Sequence, residues 1–421
     1  MSYAALDVCR AVGDHPGVTA IHVIVGAGQA GGWAAIAMRQ AGFTGRVLLV
    51  GDERWRPYER PPLSKAMLAG EPEPPVLFFH EQARYAELAI ELLLGAAVEE
   101  LDAAAHRIRL HGGTSLPYDK MLLATGGRAR RLPLPGAEHV HLLRTIEDAR
   151  AIRTRLASAR RVICIGAGVI GLEIASSARG RGCEVTVLEA GPIAMGRCVS
   201  IEGARFIEAL HRSAGVELRF EASVEAVEAQ PDGSFQVICN DGVLAADCVI
   251  AGIGMQRNLD LAAGAGLAID GGIMVDELGR TDAPGIYAAG DVAAFLHPHY
   301  RRRLRLESWR HAQNHGIAVG RVMAGEALPY DDIPWFWTDQ HGVNLQVAGL
   351  PAEAARTVVR INQPPVFVAV HLAADDAVVG VTAAGSPRDI RAGTALIKAR
   401  KPIDPVMLAD PAVPLQRLLG R

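Results

Sequence analysis

No two of the six cysteines in this 421-residue chain (Cys9, Cys164, Cys183, Cys198, Cys239 and Cys248) stand as C-x-x-C, so no redox pair is written locally. Cys164, Cys239 and Cys248 lie in apolar, strand-like runs and read as small buried hydrophobes. A run of eighteen apolar residues is also missing, so no membrane partner or spanning helix is expected. Met1 to Ala20 carries Asp7, Asp14 and His15 without a sustained apolar core, and it does not read as a signal peptide. A reducing, cytoplasmic compartment is the expectation. The formal net charge is only −3 and no long basic stretch occurs, which argues against nucleic acid as the main partner. Aromatic residues make up 5% of the chain, and the G-x-S-x-G nucleophile turn is absent.

Glycine is abundant instead. With 45 glycines and 50% hydrophobic residues, the composition suits an α/β protein whose many strand–helix junctions need small residues, and the length suits two to three domains. The organising stretch is Ile21 to Gly31, I-H-V-I-V-G-A-G-Q-A-G. An apolar strand runs into Gly26, Gly28 and Gly31, a small-residue helix follows, and Val47 to Val50 makes a second strand. In such a βαβ unit the glycines serve a tight turn, close backbone approach to a pyrophosphate, and helix–strand packing, with a helix N-terminus facing the phosphates. The same grammar returns at Arg161 to Glu189, with Gly166, Gly168 and Gly171 in the turn, which predicts a second nucleotide site.

Each unit ends its second strand on an acid, Asp52 (or its neighbour Glu53) and Glu189, as paired ribose hydroxyls require. Glu189 would repel a 2′-phosphate, and Ala190, Gly191 and Pro192 follow it, so NADH is favoured over NADPH. Between the units, Arg54 to Lys65 is rich in proline and reads as an ordered, extended loop rather than a helix. Phe235 to Cys239 and Val243 to Ile253 flank Asn240-Asp241-Gly242 and predict a hairpin. Trp309 to Met323 reads as a helix, and beyond Pro329 alternating strands (344–347, 367–371, 377–381) suggest a third, α+β domain. His311 and His315, four apart on that helix, lack a nearby acid or cysteine to complete a metal set, and no metal is expected.

The motifs together resemble the FAD-containing NADH:ferredoxin reductases that serve Rieske-type ring-hydroxylating dioxygenases and certain cytochromes P450. They are V-G-A-G-Q-A-G (25–31), V-G-D-E (50–53), R-P-P-L-S-K (60–65), A-T-G-G-R (124–128), I-G-A-G-V-I-G-L-E (165–173), A-G-I-G (251–254), Y-A-A-G-D (287–291) and P-W-F-W-T-D-Q (334–340). They cover nearly the whole chain in order. The resemblance implies a glutathione-reductase-like α/β flavoprotein with two dinucleotide-binding domains. Its FAD domain would comprise 21–127 and 255–328, its NAD domain 128–254, and its C-terminal α+β domain 329–421, after an N-terminal extension at 1–20.

It also implies roles for matching residues. Gly26, Gly28, Ala30 and Gly31 would take the FAD pyrophosphate, Asp52 the adenosine ribose, Val98 the adenine side, Arg144 the phosphates, Asp291 the ribityl chain, and Trp309 the ring. Gly166, Gly168, Gly171, Glu189 and Gly254 would serve the dinucleotide sites. Lys65 would stand beside the isoalloxazine, where a fixed ammonium stabilises the negative charge of reduced flavin. Glu173 would lie near the nicotinamide and pair with Lys65, and Trp337, with Trp335, would wall the electron exit. Some relatives carry Tyr where this chain has Val169, so an aromatic gate at that point is absent.

The implied partners are NADH and a [2Fe-2S] ferredoxin, Rieske-type or plant-type. Arg301, Arg302, Arg303 and Arg305 form a basic run that either steers an acidic carrier or is a solvated turn. Two alternatives share the architecture. An NADH oxidase or disulfide reductase would need a cysteine beside the flavin, and Asp52 to Ala69 holds none. A non-catalytic NADH-sensing flavoprotein would reduce its carrier slowly.

Overall fold

The computed structural model describes residues 20–419. Cys9 and the extension at 1–20, except Ala20, lie outside them. The chain forms two compact units, each assembled from separated segments.

The first unit comprises 20–59, Val76–Arg128 and Gln256–Asp332. Ile21–Val25 is the central strand of a five-stranded parallel sheet, flanked by Arg46–Gly51 and Ile90–Leu94 on one side and by Lys120–Leu123 and Ile286–Ala288 on the other. Its inner strands are mostly apolar and buried because both faces are covered. The helix Gln29–Gln40 packs against Trp309–Met323, and Ile24, Met38, Leu49, Tyr85, Leu122, Val319 and Met323 share the core. The contact between the two helices is backbone-close: a Cβ on Gly316 would stand 2.2 Å from the Ala30 carbonyl oxygen.

The second unit comprises Arg60–Pro75, Ala129–Met255 and 333–419. Its parallel sheet runs in the order Glu217–Phe220, Glu184–Glu189, Arg161–Ile165, Cys248–Ala251, His141–Leu142. A second, antiparallel sheet, in the order Trp335–Gln340, Val343–Gly349, Val378–Ala384, Val366–Leu372, Arg356–Gln363, carries the helix Pro387–Ala399 on one face. The α+β character expected beyond Pro329 is therefore present.

Two local expectations need correction. The run Val243 to Ile253 is not one hairpin arm. It breaks at Asp247, whose carboxylate accepts the N–H groups of Arg160 and Arg161 and the Arg161 guanidinium. These bonds hold the Asp247 carboxylate down at about 2. Gly242–Ala246 stays in the hairpin, and Cys248–Ala251 enters the parallel sheet. The proline-rich stretch is likewise not wholly extended: Pro61–Ser64 within it is a 3₁₀ turn, and a turn of α-helix, Ala66–Ala69, follows it directly. Proline at the head of such a turn costs nothing, because the N–H it lacks has no partner there.

Candidate active site

The first unit carries the first glycine turn. Leaving the strand at Val25, the chain bends so that the Gly26 N–H reaches the Val50 carbonyl at 2.8 Å, and the helix then opens at Gly28 with no side-chain cap. By contrast Trp309–Met323, in the same unit, is capped by Ser308 Oγ, which accepts the His311 N–H at 3.3 Å. A Cβ on Gly31 would stand 1.9 Å from the Gly26 carbonyl oxygen, so only glycine lets turn and helix close up. Gln29 Oε1, in the first helical turn, is buried with no hydrogen-bond partner among the described residues. An uncapped positive helix end and a bare backbone cradle fit a dinucleotide phosphate group, and the orphaned amide oxygen, an acceptor, fits a nucleotide hydroxyl.

Around this turn the unit gathers several of the residues named from the sequence. Asp52 is exposed at the strand end, where Oδ1 accepts the Glu53 N–H at 3.0 Å, while Glu53 Oε2 accepts the Tyr58 hydroxyl at 2.7 Å. The exposed acid is therefore Asp52. Asp291 lies in a 3₁₀ turn whose Gly290 stands against Ala30. Val98 opens the strand Val98–Asp102. Trp309 Nε1 donates to Glu59, a half-buried carboxyl that desolvation pushes upward against the opposing hydrogen bonds of Trp309 and Gln29. Burial holds His311 neutral down to about 3 and His315 well below its usual range, and His315 Nδ1 accepts the Gly290 N–H at 3.2 Å. In the basic run, Arg303 donates to the carbonyls of Val275 and Ala294, and Arg301 and Arg302 are exposed.

The second unit repeats the turn. Gly166 N–H reaches Leu188 O at 2.7 Å, and Val169–Gly180 opens at Gly168 without a side-chain cap, whereas its neighbours Ile146–Leu156 and Ile201–Ser213 are capped by Thr145 and Ser200. A Cβ on Gly171 would stand 2.0 Å from Gly166 O. Glu189 is drawn onto the turn itself: Oε2 accepts the Ala167 N–H and Oε1 the Gly191 N–H, both at 2.7 Å. Each oxygen keeps a lone pair for a ribose hydroxyl. Arg144 precedes the helix Ile146–Leu156, and its carbonyl accepts Arg60 Nη1 at 2.6 Å. Gly254 O accepts the Arg130 N–H.

The same unit brings Lys65 and Glu173 into direct contact, Nζ to Oε1 at 2.8 Å. Glu173 is only 2% exposed, so its charge needs full compensation. Ser64 Oγ donates to Oε2 at 2.5 Å and Thr338 Oγ1 to Oε1 at 2.7 Å, so an ammonium and two hydroxyls share one carboxylate. Lys65 Nζ also lies 5.8 Å from the Trp337 ring centroid, and Trp337 stacks on Trp335 at 5.4 Å. Trp337 Nε1 donates to Asp339 at 2.9 Å.

Residues 21–316 match the pyridine nucleotide-disulphide oxidoreductase family, and residues 335–419 match the reductase C-terminal family. The chain belongs to the pyridine nucleotide-disulphide oxidoreductase family. Among relatives of this oxidoreductase, the ferredoxin–NAD(+) reductase component of the p-cumate 2,3-dioxygenase system of Pseudomonas putida is 39% identical over 94% of this chain and 97% of its own. Putidaredoxin reductase of the same species is 36% identical over 94% and 96%. The solved ferredoxin reductase for the CYP199A2 system from Rhodopseudomonas palustris matches with a TM-score of 0.91 at 34% identity, covering 95% of this chain and 99% of that one. A covalent putidaredoxin reductase–putidaredoxin complex also matches at 0.91, with 36% identity and coverage of 96% and 99%. The glutathione-reductase-like fold expected from the motifs is therefore the fold present.

Despite the disulphide in the family name, this oxidoreductase has no cysteine from Asp52 to Ala69. Cys164, Cys183, Cys239 and Cys248 are buried, and burial pushes the Cys248 thiol up to about 12, far from thiolate chemistry. Sequence reasoning missed Ser64, Thr338 and Gln340 beside Glu173, and Glu59 beside Trp309. A signal existed for two of them. Thr338 and Gln340 sit two apart in P-W-F-W-T-D-Q, on the buried face of a strand whose other face carries Trp335 and Trp337.

Proposed function

We propose that this protein is an FAD-containing NADH:ferredoxin reductase, passing electrons from NADH to a [2Fe-2S] ferredoxin that feeds a ring-hydroxylating dioxygenase or a cytochrome P450. The observation that carries this is the pair of uncapped glycine-turn helices, one per unit, each beside a strand-end acid. FAD, when bound, supplies two-electron uptake from NADH and one-electron release to an iron–sulfur carrier.

The chain's own residues bind, orient and compensate charge. Gly26, Gly28, Ala30 and Gly31 would hold the FAD pyrophosphate by backbone N–H groups, Asp52 would accept from the adenosine ribose, Val98 would contact the adenine side, Arg144 would meet the phosphates, Asp291 would hold the ribityl chain and Trp309 would touch the ring. Gly166, Gly168, Gly171 and Gly254 receive NADH, and Glu189 accepts its ribose hydroxyls while rejecting a 2′-phosphate. Glu173 would steady the nicotinamide and Lys65, paired with it, the flavin, and Trp337 would screen the exit from water. In this reading the FAD domain is 21–127 with 255–328, the NAD domain is 128–254, and the protein works in the cytoplasm.

The relatives named above, which are ferredoxin–NAD(+) reductase components or P450-system reductases by name, support the carrier as electron acceptor. The test is NADH-dependent reduction of a panel of Rieske-type and plant-type ferredoxins by the purified yellow protein. Rapid NADH oxidation with oxygen or a disulfide, and no reduction of any carrier, would turn the reading toward an oxidase or disulfide reductase.

A further inference from the structure

Behind the Lys65–Glu173 pair a line of polar groups crosses the second unit. Thr338 Oγ1 donates to Glu173 Oε1 at 2.7 Å, Gln340 Nε2 lies 2.9 Å from Thr338 Oγ1, His211 Nε2 lies 2.8 Å from Gln340 Oε1, and His341 Nε2 lies 3.1 Å from His211 Nδ1. Glu173, Thr338, Gln340 and His211 are all buried, and His341 is half-buried.

The hydrogens along this line have only one consistent arrangement. A carboxylate only accepts, so Thr338 must spend its single hydroxyl hydrogen on Glu173 and accept from its other neighbour. That neighbour is then the Gln340 NH₂, which turns the amide oxygen toward His211. The amide oxygen also only accepts, so His211 carries its proton on Nε2. A neutral imidazole has one N–H, so His211 Nδ1 accepts and His341 donates from Nε2. Every bond points toward Glu173. Burial holds His211 neutral down to about 4, as this assignment requires. The groups facing His211 are the Gln340 amide and the His341 imidazole, and the charged neighbour of His341 is Arg179, which with burial lowers it.

The outer end of the line has its own peculiarity. His341 and Gly342 form the two-residue turn between Trp335–Gln340 and Val343–Gly349, with φ of 48° and 77°. Such a turn favours asparagine, aspartate or glycine at its first position. Here a histidine occupies it, fixed by its own N–H bonded to Ser176 Oγ at 2.8 Å, and its imidazole reaches His211. The turn thus holds a donor where a simpler residue would serve the backbone better.

We infer that His211 and His341 are positioning residues for Glu173, acting through Gln340 and Thr338 as a one-way chain of donors that fixes the carboxylate against Lys65. This deepens, and rests on, the reading of Lys65 and Glu173 as the charged pair at hydride transfer. The chain transmits orientation and polarity rather than a proton, because the Gln340 amide cannot relay one without becoming an imidic acid. Removing a donor frees the Thr338 hydroxyl to rotate, and Glu173 then loses one of its three partners.

The experiment compares the holoenzyme with H211L, which keeps volume and removes the donor, and H211Q, which donates to Gln340 through its amide. Selective ¹⁵N labelling of histidine reads tautomers directly: both imidazoles carry hydrogen on Nε2 and stay neutral at pH 7. Stopped-flow flavin reduction by NADH is about five- to tenfold slower in H211L at unchanged flavin content, with most of the rate restored in H211Q. An Nδ1–H tautomer or a charged His211 at pH 7 would overturn the chain, and so would H211L matching or surpassing H211Q, the order that packing alone dictates. If H211L does not fold, H341N, whose asparagine suits the turn, replaces it: a His211 imidazole that keeps its NMR signature and a reduction rate that stays at wild type would overturn the inference. A wild-type protein that never transfers electrons from NADH would defeat the functional reading instead, with the tautomer result standing on its own.

Discussion

The two glycine turns share a motif and differ in enclosure. In the first, Gln29, Ala30, Gly31 and Gly32 are all buried: Trp309–Met323 presses Gly316 and Gly320 onto the backbone of Ala30 and Ala34, and Pro57 and Phe79 stand against Gly32. In the second, Ile170 is 41% exposed and Val169 half-buried at the matching place. The acids differ in the opposite sense: Asp52 is exposed at its strand end, while Glu189 is tied to two N–H groups of its own turn. One βαβ grammar thus yields an occluded cradle suited to a resident cofactor and an open one with a preset carboxylate, suited to a cofactor that comes and goes. Enclosure lies outside the fingerprint, much of it in a helix that arrives almost 300 residues later.

Exchanging the two turns' glycines is the strongest way to break this comparison. Gly31→Val is expected to give a colourless protein with more than about 100-fold loss of NADH-dependent reductase activity, since the new side chain collides with backbone rather than with a movable side chain. Gly171→Val should stay yellow and reducible by dithionite yet fail to bleach with NADH. Flavin absorbance before and after each reductant separates the two, and loss of flavin from both variants would mean that the sites are not distinct.

Acid should strike next. Burial lowers His22 in the first unit and His211 and His371 in the second from 6.5 to about 4. The unfolded chain therefore binds more protons between pH 6.5 and 4. Their contribution to stability is complete above pH 6.5 and falls away as pH drops toward 4, by roughly 3 kcal/mol per histidine. Thermal denaturation at pH 7, 5.5 and 4.5 checks this, and a midpoint insensitive to that change contradicts it. A smaller effect is expected from Gly316→Ala, whose Cβ meets the Ala30 backbone: about 1–3 kcal/mol of destabilisation and earlier flavin release on heating. The smallest is Glu189→Gln, which keeps one acceptor and loses the charge. KM for NADH should rise roughly tenfold while that for NADPH improves. An unchanged ratio of the two would remove Glu189 from cofactor choice.

Much of the fold is legible because glycine and apolar periodicity carry it. Ile21–Val25, Arg161–Ile165 and both turns follow from residue type alone, and Trp309–Met323 spans the stretch read as helical. The split at Asp247 was not visible, because its cause is a side chain accepting N–H groups from residues 160 and 161, far away in sequence. The strand Trp335–Gln340 was recognisable as a motif but not as a strand, since its buried face carries threonine and glutamine where apolar residues are the usual sign. At the site, Lys65 and Glu173 were legible through family resemblance. Their supporting hydroxyls and imidazoles were not, because Ser64, Thr338 and His211 come together only in three dimensions from three separate stretches of chain.

The segmented make-up of the units has a consequence for biosynthesis. The polypeptide crosses from one unit to the other at residues 59/60, 75/76, 128/129, 255/256 and 332/333. A ribosome that has released Ile21–Val25 must synthesise some 260 further residues before the edge strand Ile286–Ala288 exists, and more before Trp309–Met323 can cover Ala30 and Ala34. The strand itself finds Arg46–Gly51 and then Lys120–Leu123 earlier, but until Trp309–Met323 is made the face of Gln29–Gln40 that it covers is bare, an exposed apolar surface of the kind that chaperones hold. Completion of the first unit must therefore wait until its last segment, ending at Asp332, has been made.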